Sequence, residues 1–252
     1  MNENSPAAPG KVPEVTLIFW IIKVAATTLG ETAGDALSMS MNLGYLVSTG
    51  IFAVLFLSMV GAQIRAKAFH PFLYWATIIA TTTLGTTVAD FADRSLGMGY
   101  SGGSSVLLAL LLASIWLWHH SLGSISIASV NSRKAEGFYW ITIMFSQTLG
   151  TALGDWTADS AGLGYLGSAV IFGSLLAVVT AGHYWTRISQ TALFWTAFIL
   201  TRPLGAVVGD FLDKPASAGG LALSRFSASA ALLGIIAGCI LIFPQRPATR
   251  PH

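Results

Sequence analysis

Charge is what this sequence has least of. Only 10% of its 252 residues are Asp, Glu, Lys or Arg, whereas a water-soluble domain carries roughly a quarter, so too little polar surface is present to cover a globule in water. Cysteine is nearly absent: the single Cys239, inside the apolar run ALLGIIAGCILIF, excludes an intrachain disulfide and any Cys-x-x-Cys metal or redox centre. There is no excess of one sign, with 13 Lys+Arg against 11 Asp+Glu, which argues against a nucleic-acid partner. The chain has no Gly-x-Ser-x-Gly elbow, His-Glu-x-x-His helix, P-loop or long polar loop able to hold a substrate or nucleotide domain. Neither an enzyme, a resident cofactor, nor an ATP-driven pump working alone is expected.

What fills the chain instead is apolar: 54% of the residues are hydrophobic and the mean hydropathy is +0.68. Four copies of one pattern occupy it. Trp20, Trp75, Trp140 and Trp195 are each followed 15 residues later by an aspartate, Asp35, Asp90, Asp155 and Asp210, within TLGETAGD, TLGTTVAD, TLGTALGD and PLGAVVGD. A Gly-Tyr pair follows in the first three copies, ending in Tyr45, Tyr100 and Tyr165, while the fourth has Gly219-Gly220. The copies are offset by 55, 65 and 55 residues, so the first two reappear at a shift of 120. That is a duplication within a duplication.

Each copy holds two apolar stretches of spanning length, about 20 residues for about 30 Å of hydrocarbon. The expected fold is all-α and polytopic: eight transmembrane helices from four parallel two-helix repeats, at 15–37, 44–64, 71–93, 103–119, 136–158, 164–185, 190–212 and 222–243. The domain plan is a flexible cytoplasmic N-terminus at 1–14, membrane halves at 15–130 and 131–243, and a cytoplasmic tail at 244–252. The polar N-terminal segment lacks the basic-then-apolar order of a secretory signal and is expected to be retained. Loop cations set the orientation: Lys11, Arg65, Lys67, Arg133, Lys134, Arg187, Arg246 and Arg250 fall on one side against Arg94, Lys214 and Arg225 on the other. Both termini are thus expected in the cytoplasm of a multi-pass inner-membrane protein whose partner is the lipid bilayer.

The acids divide the opposite way, eight of 11 lying at the outer ends of the odd-numbered helices. Parallel repeats bring Asp35, Asp90, Asp155 and Asp210 to one level, and Glu31 lies one turn deeper than Asp35. Carboxylates at a helix C-terminus oppose the macrodipole and repel one another, so a bound divalent cation or protonation has to offset them. Glu31, Asp35, Asp90, Asp155 and Asp210 are therefore candidate ion or metal ligands; the plain alternative is that such acids only cap turns or face interfacial water. Arg202 replaces Thr27, Thr82 and Gln147 of the other copies near mid-span and needs a carboxylate, Glu31 or Asp155. Lys23 is expected to snorkel to the inner interface, the four Trp to form an aromatic belt there, and the Gly-x-x-x-Gly pairs to let helices pack closely.

The Trp and TLGxxxGD-like motifs, with two spans in each of four copies from about Lys11 to Phe243, resemble a bacterial inner-membrane family of membrane-anchored proteins built from a tandem repeat of unknown function. The resemblance implies topology and no activity. The leading functional expectation is a small secondary transporter of a cation, either a divalent metal such as manganese or a proton-coupled solute. The alternative is a non-transporting membrane scaffold or accessory subunit whose acids serve packing and recognition. An intramembrane hydrolase built on paired aspartates comes third.

Overall fold

The computed structural model describes residues 10–248. Residues 1–9 and 249–252, which carry most of the expected N-terminal segment, the end of the tail, Glu3 and Arg250, lie outside the described residues. Eight helices follow one another: α1 (Leu17–Asp35), α2 (Gly44–Arg65), α3 (Pro71–Asp90), α4 (Gly99–Leu122), α5 (Arg133–Asp155), α6 (Gly164–Trp185), α7 (Gln190–Asp213) and α8 (Arg225–Ile242). Starts are marked by side-chain caps: Thr16 Oγ1 accepts from Phe19 N at 3.2 Å and Ser132 Oγ from Ala135 N at 3.2 Å, while α3 opens on Pro71. In the first three copies the helix runs past the repeated aspartate into one wider π-helical turn, Ala36–Ser40, Phe91–Ser95 and Trp156–Ser160. The fourth ends at Asp213 and makes a short 3₁₀ turn, Ala216–Ala218, instead.

The glycines of the Gly-Tyr pairs have a backbone role. Gly44, Gly99 and Gly164 take φ of +72°, +69° and +65° at the start of α2, α4 and α6, two residues after Asn42, Gly97 and Gly162, which are also left-handed. Two left-handed residues with one residue between them reverse the chain within a few positions. In the fourth copy the connection is built differently, with Gly219 at φ +84° and Ala222 at φ +54° left-handed.

Odd and even helices occupy different layers. The apolar spans of α1, α3 and α7 are 67%, 72% and 61% buried, those of α2, α4, α6 and α8 only 11–22%. The four odd helices form a closed inner ring, with α1 against α3, α3 against α5, α5 against α7 and α7 against α1. Each even helix lies on the inner helix of the next copy, α2 on α3, α4 on α5, α6 on α7 and α8 back on α1. No copy buries its own two helices against each other, so the fourth must close on the first. Even helices turn Leu46, Val54, Leu112, Leu166, Val178 and Leu241 outward, an apolar surface that suits lipid rather than water. Among the described residues seven helices are long and apolar enough to cross a membrane; α5 is also 23 residues long but is diluted by Ser146, Gln147, Thr148 and Thr151 on its buried side. A helical apolar bundle of this kind is an integral membrane protein.

The glycine motif makes the ring this tight. A methyl group on Gly30 would collide with Thr82, on Gly85 with Gln147, on Gly150 with Arg202 and on Gly205 with Thr27. Each TLG or PLG glycine thus receives the same-register side chain of the following copy, in a cyclic interlock. Several hydroxyls buried there donate back into their own helices, as Thr81 Oγ1 does to Thr77 O at 2.6 Å and Thr148 Oγ1 to Met144 O at 3.0 Å, which satisfies those groups without water.

The four Trp are a correction. Trp75, Trp140 and Trp195 are 1%, 2% and 4% exposed and, with Trp20 half-buried beside them, belong to an aromatic layer that joins all four inner helices through Phe19, Tyr74, Tyr139 and Phe198. The Tyr74 and Tyr139 hydroxyls meet at 2.6 Å. A ring of four inner helices directs this register toward its own centre, not to a lipid interface. Below the layer, the two ends of the chain pair with each other: Glu14 N donates to Arg246 O and Ala248 N to Val12 O, both at 2.8 Å. Lys11 Nζ ties this strap to Glu136 Oε1 at 2.7 Å and to the last carbonyls of α2.

A Cβ on Gly205 would stand 2.8 Å from the Thr27 carbonyl carbon, whereas Gly50 faces open space. Gly205→Val is expected to destabilise the protein by about 1–3 kcal/mol, the usual cost of overpacking, and Gly50→Val to leave the melting temperature in detergent within error of wild type.

Candidate functional site

At the level of Glu31 the repeats place Thr86, Thr151 and Ala206, and Arg202 reaches Glu31 and the two threonines. From α7 its Nη2 donates to Glu31 Oε2 of α1 at 2.9 Å, to Thr86 Oγ1 of α3 and to Thr151 Oγ1 of α5, while Nη1 donates to Thr27 O at 3.2 Å. One guanidinium therefore touches all three other inner helices, and its side chain is 0% exposed. Thr86 Oγ1 also lies 3.3 Å from Glu31 Oε2. Of the two carboxylates expected to receive Arg202, Glu31 does so; Asp155 is engaged elsewhere.

One turn further along lie the repeated aspartates, all buried. They divide into two pairs, each bridged by a cation from the second member's or first member's own copy. Lys214 Nζ is 2.6 Å from Asp35 and 3.0 Å from Asp210. Arg94 is 3.1 Å from Asp90 and 3.6 Å from Asp155. The two bridges are related by the 120-residue shift, Asp90 and Arg94 matching Asp210 and Lys214, so this level has twofold rather than fourfold symmetry. Burial alone would lower the Lys214 pKa, but Asp210 and Asp35 on either side hold it well above the ordinary lysine value. Arg225 adds a third bridge, 2.9 Å from Asp213 and 3.7 Å from Asp35.

Arg94, Lys214 and Arg225 count as loop cations when read from sequence, although Arg94 and Lys214 stand four residues after a repeated aspartate, an i,i+4 spacing that signals a pair on one helix face. The tyrosines join them: Tyr45 Oη accepts from Arg94 Nη1 at 3.1 Å, and Tyr100 donates to Asp159 at 3.4 Å. Asp93, the counterpart of Asp213, is 8% exposed with neither oxygen hydrogen-bonded.

Carboxylate oxygens of Asp35, Asp210 and Asp213 come within 4.8 Å of one another, a spacing that could hold a metal ion. The Lys214 ammonium already lies against two of these acids and the Arg225 guanidinium against the third. The donor set is hard oxygen throughout, which suits a proton or a cation such as Mg²⁺ or Mn²⁺; a metal here takes the place that Lys214 now occupies. Lys23 contradicts the snorkelling expectation: it is 0% exposed and lies over the Phe198 ring, 4.1 Å from its centre, because the aromatic layer stands between it and the end of the bundle.

Breaking a buried ion pair from one side leaves an uncompensated charge, at about 3–5 kcal/mol. Arg202→Met and Glu31→Gln are each expected to lower the melting temperature sharply, and the double variant to recover much of the loss. Additive losses in this cycle would show that the two side chains do not act as a pair.

No curated protein and no solved structure matches the chain. The model of the family described as Repeat of Unknown Function (DUF347) matches it four times, over residues 18–69, 73–123, 138–189 and 193–243. These windows coincide with the four structural copies, α1 with α2 through α7 with α8, and they cover most of the sequence. The chain belongs to the DUF347 repeat family.

Proposed function

We propose that the protein is a small secondary transporter of a cation that crosses the bacterial inner membrane eight times, with α5 as the eighth span and both termini in the cytoplasm. Lys11, Arg65, Lys67, Arg133, Lys134, Arg187 and Arg246 gather at the end that holds the termini, and the positive-inside rule assigns that end to the cytoplasm. The acidic end then faces outward.

The observation that carries the reading is a charge imbalance. Glu31, Asp35, Asp90, Asp93, Asp155, Asp159, Asp210 and Asp213 gather around four side-chain cations, Arg94, Arg202, Lys214 and Arg225, which leaves four formal negative charges in and beside the membrane. Carboxylates there are costly unless compensated, so protons or small cations complete the site. Glu31, Asp35, Asp90, Asp155 and Asp210 are the proposed ligands or proton carriers, with Arg202 as the fixed counter-charge beneath them. An open channel does not suit an arginine on its axis or an aromatic layer across the ring. Alternating access does, with Lys214 and Arg94 leaving their aspartates as a cation or proton arrives. A divalent metal such as manganese is the cation to test first; no enzymatic step is assigned.

One observation favours a second reading. Each of the five proposed ligands already touches an internal cation, an arrangement that a non-transporting scaffold could use for packing alone. The readings separate in proteoliposomes. Replacing Asp35 and Asp155 by Asn removes one carboxylate from each bridge and is expected to reduce Mn²⁺ or proton-coupled flux at least tenfold in a variant that still folds. Wild-type vesicles with no flux of either kind, but a variant that melts lower, would favour the scaffold.

A further inference from the structure

Lys23 stands outside every ion pair described above. Its Nζ is buried and has no hydrogen-bond partner among the described residues. The nearest carboxylate on its own helix, Glu31, is eight residues on, about 12 Å by helical rise, and is held by Arg202. The ammonium lies over the Phe198 ring, the position a charged group takes on an aromatic face.

The repeat register sets Lys23 one turn below the level of Thr27, Thr82, Gln147 and Arg202. At that level each of the other inner helices brings a buried polar atom without a hydrogen-bond partner: Thr82 Oγ1 from α3, Gln147 Nε2 and Oε1 from α5, and Arg202 Nε from α7. Two buried basic side chains thus share one carboxylate, and most of the unsatisfied atoms are donors. Within a membrane bundle an isolated cation and idle N–H groups are strongly disfavoured. The acids at the outward end cannot supply the missing charge, since Arg202 and Glu31 stand between them and Lys23.

We propose that this mid-bundle level binds a compact monoanion, a halide, nitrate or short carboxylate, which accepts from the Lys23 ammonium, the Gln147 amide N–H and the Thr82 hydroxyl. The site is separate from the outer carboxylates and does not depend on their carrying a cation. Its walls, Phe198 and the aromatic layer, are apolar, so a small weakly hydrated anion fits better than a multiply charged phosphate or sulfate.

The test is the melting temperature of the full chain in detergent at constant sodium concentration, with gluconate replaced stepwise by chloride, nitrate or formate. Wild type is expected to show a saturable rise with at least one of the three, and Arg65→Gln, which removes an exposed cation, to keep it. Lys23→Met, which replaces the buried amine by an apolar group, is expected to fold and to lose the response, and Gln147→Ala to shift its midpoint at least tenfold to higher concentration. A wild type indifferent to all three anions, or the same saturable response in Lys23→Met and Gln147→Ala, would overturn the site and leave water as the partner of these groups. Should Lys23→Met fail to fold, the midpoint in Gln147→Ala decides in the same sense.

Discussion

The guanidinium of Arg202 is the constraint around which the inner ring is arranged. It lies in the middle of an apolar bundle and reaches a carboxylate, two hydroxyls and a carbonyl on the three helices other than its own. A charge at that depth is tolerated only if it is paired and hydrogen-bonded, so the four inner helices must stay in register for it to exist at all. The same requirement explains why the fourth copy departs from the others. Four arginines at one level would repel, whereas one arginine facing Glu31 of the first copy and Thr86 and Thr151 of the second and third is compensated. The small Ala206 completes the level on the helix that supplies the arginine. Close approach of the backbones comes from the TLG and PLG glycines, each of which takes up the same-register side chain of the next copy.

The level above is twofold. Asp90 and Asp155 share Arg94, and Asp210 and Asp35 share Lys214, so each bridge joins the second copy of one half to the first copy of the other. The internal duplication thereby makes two equivalent, cation-filled carboxylate pairs. The bridging side chains lie at the rim of the bundle, Lys214 13% and Arg94 30% exposed, and the proposed transport cycle uses that access: each would swing toward water as a mobile cation takes its place. Arg202, fully enclosed, cannot. In the proposed cycle the enclosed charge at the centre stays fixed while the charges above it exchange.

Much of this is legible in the residues. The repeat, its helical spans, the common level of the aspartates and the need of Arg202 for a carboxylate, Glu31 or Asp155, all follow from spacing and from the cost of charge in hydrocarbon; the choice of Glu31 comes from the closed ring. The swapped packing, in which α2 covers α3 and α8 returns to α1, does not, because the apolar face of each even helix is equally suited to either neighbour. The tryptophans mislead for a related reason: one turn from a span end, a Trp suits a lipid interface and a sealed core alike, and only the closure of the ring decides. Lys23 is misplaced with them, since snorkelling requires a path to water that the aromatic layer removes. Arg94 and Lys214 carry a readable signal in their i,i+4 spacing from Asp90 and Asp210, masked by their place in the loops.

The central claim is that the excess carboxylates at the outward end are held by protons or small cations that exchange. Infrared difference spectroscopy of the protein in lipid measures this directly, by following the protonated-carboxyl band as Mn²⁺ or another cation is added at constant pH. The expected result is a saturable loss of that band in wild type, smaller when Asp35 and Asp155 are Asn. No change in the carboxyl region with any cation, or over the accessible pH range, would contradict the claim.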